Sequence, residues 1–194
     1  MTHAPHTGKK TGSLAGHLLI ATPVVQESCF ERSVIFMCSH NQEGAMGVIV
    51  NYPVQDIGLN DVLEQLDIES APSGIEFPIH FGGPVDAGRG FVVHSPDYAS
   101  NDHLFKEGNI VVTASAAILH AVAEGKGPRQ GILALGYAGW SPGQLEAEIE
   151  AGSWLVVPAS APLVFAPDND TKWNLALASL GIDMGHLSSE VGHA

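Results

Sequence analysis

Ser33-Val34-Ile35-Phe36-Met37-Cys38-Ser39-His40-Asn41-Gln42-Glu43-Gly44-Ala45-Met46-Gly47-Val48-Ile49-Val50-Asn51 holds two apolar runs about a polar turn, and the fold class follows from their pairing. Val34-Ile35-Phe36-Met37 centres a strand over Ser33–His40. Asn41-Gln42-Glu43-Gly44 has the residues of a short turn, with Gly available for a left-handed conformation. Val48-Ile49-Val50 then returns within Met46–Asn51, so the pair reads as an antiparallel hairpin. Outward from it, strands are expected at Leu14–Ala21, Pro78–Phe81, Phe91-Val92-Val93, Ile110-Val111-Val112, Gly131–Tyr137, Trp154–Val157 and Leu163–Phe165. Leu59, Val62, Leu63 and Leu66 recur at helical spacing, with Asn60 as N-cap. Ala114–Glu124 is an Ala-rich helix stopped by Gly125–Pro128. Ser141-Pro142-Gly143-Gln144 reads as a capping box (Ser at N-cap, Pro at N1, Gln at N3) opening a helix to Glu150. Trp173, Ala176, Leu177 and Leu180 face inward on a last helix, with Asp170 near its start and Gly181 as its stop. Helices and strands do not alternate regularly, which favours α+β over a doubly wound α/β fold.

The length of 194 residues suits one domain. Residues 13–194 read as that domain and 1–12 as a mobile polar tail. Hydrophobic residues make up 45% of the chain, which excludes wholesale disorder. Eight Lys and Arg face 21 Asp and Glu, a net charge of −13. Lys9 and Lys10 precede Ser13, so only Arg32, Arg89, Lys106, Lys126, Arg129 and Lys172 remain in the body against all the acids. Nucleic-acid affinity comes mostly from cations neutralising phosphates, so no direct nucleic-acid partner is expected, nor docking on an anionic membrane. Ser13–Val25 resembles a signal peptide, but His17 interrupts it and no small-x-small cleavage site follows. No apolar run reaches the roughly 20 residues of a span. A cytoplasmic location is expected, with Cys29 and Cys38 reduced and Cys38 a core residue. Cys38-x-His40 is too small a set for a zinc site, and the ten histidines contain no H-x-x-x-H pair, so no metal is expected. Gly88-Arg89-Gly90 and Gly125-Lys126-Gly127 lack the spacing of dinucleotide and phosphate loops, so no cofactor is expected either.

Two constellations carry chemistry. Gly139-Trp140-Ser141-Pro142-Gly143 fits G-x-S-x-G between a strand and a helix, the context of a serine-hydrolase nucleophile. Asp168, Asp170 and Asp183, then His186 and His193, follow in hydrolase order. Against it, the residue after the nucleophile is Pro142, which has no N–H for an oxyanion hole, and the capping box explains Ser141 without chemistry. The second constellation is positional. Apolar strands end in His40-Asn41, Asn51, Gly82-Gly83 and His94, with Arg89 nearby. If these ends converge they line a polar pocket, with Arg89 offering donors to a carboxylate or phosphate. If they do not, each shapes a turn, and Arg89 is an ion-pair residue with Glu148 as candidate partner.

Several segments in order resemble the AlgH/YqgE family of small bacterial proteins. They are Phe30, Ser33-Val34, His40, Gly44-Ala45-Met46-Gly47 and Asn51; Gly82-Gly83-Pro84-Val85, Arg89-Gly90-Phe91-Val92 and His94; Gly136-Tyr137-Ala138-Gly139-Trp140, Gly143-Gln144-Leu145-Glu146 and Glu148; and Trp154-Leu155, Trp173 and Gly192-His193-Ala194. The resemblance implies an α+β fold whose bent, largely antiparallel sheet curls toward a barrel with helices packed outside. It also implies a label of transcriptional regulation tied to alginate production, and no agreed reaction. Trp140, Gln144 and Glu148 complete the candidate binding set of His40, Asn41, Asn51, Gly82, Gly83, Arg89 and His94. The expected function is a regulatory or binding protein acting through a protein partner or a small ligand. The alternatives are an enzyme, at Ser141 or at the strand-end group, and a purely structural interaction protein.

Overall fold

Two neighbouring strands with hydrophobic side chains on both faces need cover on both sides, and this requirement organises the computed structural model, which describes residues 12–183. β2 (Val34–Asn41) and β3 (Gly44–Ile49) form the expected hairpin, in register Phe36 to Val48 and Asn41 to Gly44. Asn41 Oδ1 accepts the Glu43 N–H at 2.8 Å and closes the turn. A bulge between Met37 and Ser39 bends the strand. Along β2, Val34, Phe36 and Cys38 face one side, while Ile35 and Met37 face the other.

The remaining strands are β1 (His17–Ala21), β4 (Ile79–Phe81), β5 (Val85–His94), β6 (His103–Glu107), β7 (Ile110–Thr113), β8 (Gly131–Trp140) and β9 (Trp154–Pro158). They make a nine-stranded sheet in the order β6-β7-β5-β8-β3-β2-β1-β9, with β4 paired beside β8. All pairings are antiparallel except β4 with β8. The sheet curls so far that Phe105 on β6 reaches Phe36 on β2, with ring centroids 5.2 Å apart. The result is a half-barrel with helices, the α+β architecture expected.

The helices are α1 (Leu59–Gln65), α2 (Ala117–Ala123), α3 (Gln144–Glu150), α4 (Ala161–Val164) and α5 (Asn169–Ala178). α1 and α2 lay Leu63, Ile118 and Val122 on the outer side of β5 and β8, against Val92 and Leu133. α3 covers Leu19, Ile35, Met37 and Ile49 with Leu145. α4 and α5 contribute Val164, Trp173, Ala176 and Leu177 to the cluster of Leu18, Phe36, Val48, Phe91 and Val112 on the concave side.

Several local expectations are corrected, among them Leu180, which lies past the end of α5 and is exposed. Leu163–Phe165 is not a strand: Pro162 in the first turn and an extended Ser160 start α4 instead. Gly58, not Asn60, precedes α1, because Asp61 bonds back to the Gly58 N–H at 2.7 Å while Asn60 accepts from Ala71. Ser141 is not the N-cap of α3: the chain enters through Gly143 at φ 76°, and only the Gln144 half of the box forms, accepting the Ser141 N–H at 3.0 Å. β6 carries no sequence signal of the kind that marked the other strands, because its side chains are largely exposed. Of the tail 1–12, residues 1–11 lie outside the described residues.

Candidate functional site

The strand ends do not converge. His94 pairs with Gly131 at one end of β8, while Trp140 at the other end pairs with Ala45, the partner of His40. A ten-residue strand separates the two histidines, roughly 25–30 Å at the usual rise. His94 is fully buried, donates from Nδ1 to the Ser95 carbonyl at 2.8 Å and meets Thr113 Oγ1 at 2.9 Å. Burial pushes its imidazole below the usual value, with the Ser95 bond and Asp97 opposing. Asn51 accepts the Val34 N–H at 2.8 Å and donates to the Arg32 carbonyl at 3.0 Å, extending the β2 ladder by a side chain. Gly82 and Gly83 cross against β8 too closely for any side chain: a Cβ on Gly83 would lie 2.1 Å from the Tyr137 backbone. Gly82 also donates to Leu135 and accepts from Ile49, so its backbone is not free for a ligand.

Trp140, Gln144 and Glu148 do come together, as a clasp. The Glu148 carboxylate accepts the indole N–H groups of Trp140 at 2.9 Å and Trp154 at 2.8 Å, and the Gln144 amide at 2.9 Å. It joins α3 to β8 and β9, and is not the partner of Arg89. Arg89 makes no ion pair among the described residues. Its guanidinium lies 5.1 Å from the Phe91 ring, at the rim of a groove of about 320 Å³ between α1 and α2.

Among the described residues no histidine is hydrogen-bonded to Ser141. His40 is held on both nitrogens: Nδ1 accepts the Leu14 N–H at 3.1 Å, so Nε2 donates to Glu146 at 2.8 Å. That ring therefore has no free lone pair. His186 and His193 lie outside the described residues. Cys38 stays a core thiol, pushed up to about 12 by burial.

A different cluster has the character of a site. Trp173, Ala176 and Leu177 bury one side of α5, and Lys172 precedes Ala176 by one helical turn, so it is drawn inward with them. Asp168 caps the helix, accepting from Asp170 and Thr171, and places Asn169 at its first turn. Lys172 is 1% exposed and donates to the Val50 carbonyl at 2.7 Å, with no carboxylate partner among the described residues. Desolvation lowers its ammonium to about 8. β4 brings His80, also 1% exposed, whose Nε2 donates to Asn169 Oδ1 at 3.0 Å. No hydrogen bond of good geometry reaches the buried His80 Nδ1, and the Pro78 carbonyl interacts with the ring in the sense that favours its charged form. Burial lowers this imidazole too, and the Lys172 charge adds to that, while the Asn169 bond and the Pro78 carbonyl oppose it. These three residues line a cleft of about 540 Å³ with Phe77, Ile132 and Phe165, and with Arg129 and Glu76 at its exposed edge. Buried polar groups are normally paired, so an unpartnered ring nitrogen and an ammonium without a counter-charge beside one cleft set this cluster apart from the rest of the core. Lys172 entered the sequence reading only as a scarce cation and His80 not at all; the available signal was a lysine on the apolar face of α5.

A family model described as AlgH-like matches residues 18–185. A UPF0301 protein of Cereibacter sphaeroides is 48% identical over 182 residues, covering 93% of this chain and 99% of its own. One from Bradyrhizobium diazoefficiens is 49% identical over 198 residues, covering 98% and 92%. The solution structure of the AlgH protein from Pseudomonas aeruginosa superposes with a TM-score of 0.75 at 35% identity, covering both chains in full. A Corynebacterium diphtheriae protein matches with a TM-score of 0.66 at 25% identity, over 84% of this chain and 85% of its own. No helix among the described residues is long and apolar enough to cross a membrane. With a family model spanning nearly the whole domain and relatives near half identity over their full lengths, the chain belongs to the AlgH-like family.

Proposed function

We propose that this chain is a cytoplasmic regulatory protein that acts indirectly, by binding a small ligand in the cleft of Lys172, His80 and Asn169. The observation that carries the reading is the pairing of an uncompensated buried ammonium with an orphaned buried imidazole nitrogen in one cavity. Desolvating an ammonium costs several kcal/mol, a penalty that core packing alone gives no reason to bear. The scarcity of free cations argues against regulation by direct contact with DNA. The test is native purification of the wild type and of Lys172→Met, followed by mass spectrometry of the retained small molecules. The wild type is expected to retain a species that the variant lacks. Identical retention, or none in either protein, would contradict the reading.

A further inference from the structure

We infer that the chain has a second ligand site, separate from the cleft above, in which Arg32 holds a small monocarboxylate with an apolar tail. The starting observation is backbone strain. Arg32 lies in the left-handed region at φ 56°. The other non-glycine residues found there among the described residues are Asp67 and Asp86, whose short polar side chains tolerate it. A long side chain gains nothing from that conformation, and glycine would adopt it freely. The surroundings enforce it. Asn51 donates to the Arg32 carbonyl at 3.0 Å, Tyr52 donates to the Glu31 carbonyl, and the Ser33 N–H donates to the Phe30 carbonyl at 3.0 Å. Strain held in place by its neighbours points to a residue kept for its side chain.

That side chain is displayed, not buried. Its guanidinium lies over the Trp173 ring, 4.6 Å from the centroid, and the ring is fixed in turn by its indole bond to the Ala21 carbonyl at 2.8 Å. Arg32 is exposed, and among the described residues its side chain makes no ion pair and no hydrogen bond. A ring against one face of a guanidinium leaves the N–H groups around its edge available, and these form a fork that matches the two oxygens of a carboxylate. Arg32 and Trp173 line one open pocket of about 520 Å³, where Pro23 and Val25 offer apolar surface to a carbon skeleton. Glu31 lines it as well, and together with the net charge of −13 it opposes a phosphate dianion more strongly than a monoanion. A cationic ligand would meet the guanidinium, and a neutral one would leave its fork unused.

The experiment is calorimetric titration of the full chain with 3-phenylpropanoate, 3-phenylpropanamide and inorganic phosphate. The acid should bind roughly tenfold more tightly than the amide, which has the same skeleton and no charge. Arg32→Lys keeps the charge and loses the fork, so it should lose most of that preference. Arg32→Gly removes the side chain and suits the left-handed backbone, so it should abolish the preference while melting close to the wild-type temperature. Equal binding of acid and amide, tighter binding of phosphate, or no binding of any probe at millimolar concentration overturns the inference. A preference that survives Arg32→Gly overturns it too, and makes Arg32 a cover for Trp173 only. If that surviving preference is lost in Lys172→Met, the anion sits in the other cleft, which overturns this site and supports the function proposed above.

Discussion

Lys172 shows how a single side chain can oppose the fold that holds it. Burial lowers the point at which its ammonium loses a proton to about 8 in the folded protein, against 10.5 when exposed. Between those values the unfolded chain holds the proton that the folded one has lost, so folding stability rises with pH across that interval. Below about pH 8 both states are charged and the burial penalty is felt in full. The shift corresponds to about 3 kcal/mol. Denaturant titrations of the wild type and Lys172→Met from pH 7 to 10 should therefore show the wild type gaining stability relative to the variant by about that amount. Tyr52, raised chiefly by burial, is common to both proteins and cancels in the difference. A gap that stays constant with pH would mean that Lys172 is solvated. Glu148 is the opposite case, a carboxylate satisfied by three donors. Glu148→Ala orphans two indole N–H groups and should cost about 2–4 kcal/mol in thermal or urea unfolding.

α3 is the element where sequence and structure part most instructively. Ser-Pro-Gly-Gln matches a capping box letter for letter, yet Gly143 takes a left-handed conformation and Ser141 stands outside the helix. Ser141→Ala should accordingly change stability by less than about 0.5 kcal/mol. Gly143→Ala should cost about 1 kcal/mol through backbone strain alone, since no atom lies within 4 Å of the added Cβ. The reverse order in thermal melts would restore Ser141 as the cap. The β2–β3 hairpin was legible because its partners are adjacent in sequence and its turn residues enforce the reversal. β6 was not, because its pairing with β7 leaves most side chains in solvent and so imposes little pattern. Leu163–Phe165 misled because three apolar residues fit a strand or a helix equally, and Pro162 settled the matter. The cleft was hidden for a different reason: His80 and Lys172 meet only when β4 and α5 pack together, and no local pattern reports a contact so distant in sequence.

At the scale of the molecule, acidity and cation placement bear on partners together. Of the six bases beyond the tail, Lys172 is buried, Arg32 stacks 4.6 Å from the centre of the Trp173 ring, Lys126 pairs with Glu124 and Arg129 lies near Asp97. Arg89 lies over the Phe91 ring and Lys106 stands apart, so these dispersed cations are too few to neutralise a run of phosphates. Mobility-shift titration of the protein against its own upstream region at physiological salt should show no complex at micromolar concentration; a steeply salt-dependent shift would contradict this. Among the described residues, Ser33 Oγ is buried without a partner away from the cleft, whereas His80 and Lys172 lie together beside the cleft between β4 and α5, and it is there that ligand binding is proposed. Lysine-selective NMR tests it most directly, following the Nζ signals of the full chain as the small-molecule fraction of a native lysate is added. A shift of the Lys172 signal with Lys106 and Lys126 unmoved is the result expected. An unmoved Lys172 signal, or equal shifts at all three, would contradict the account.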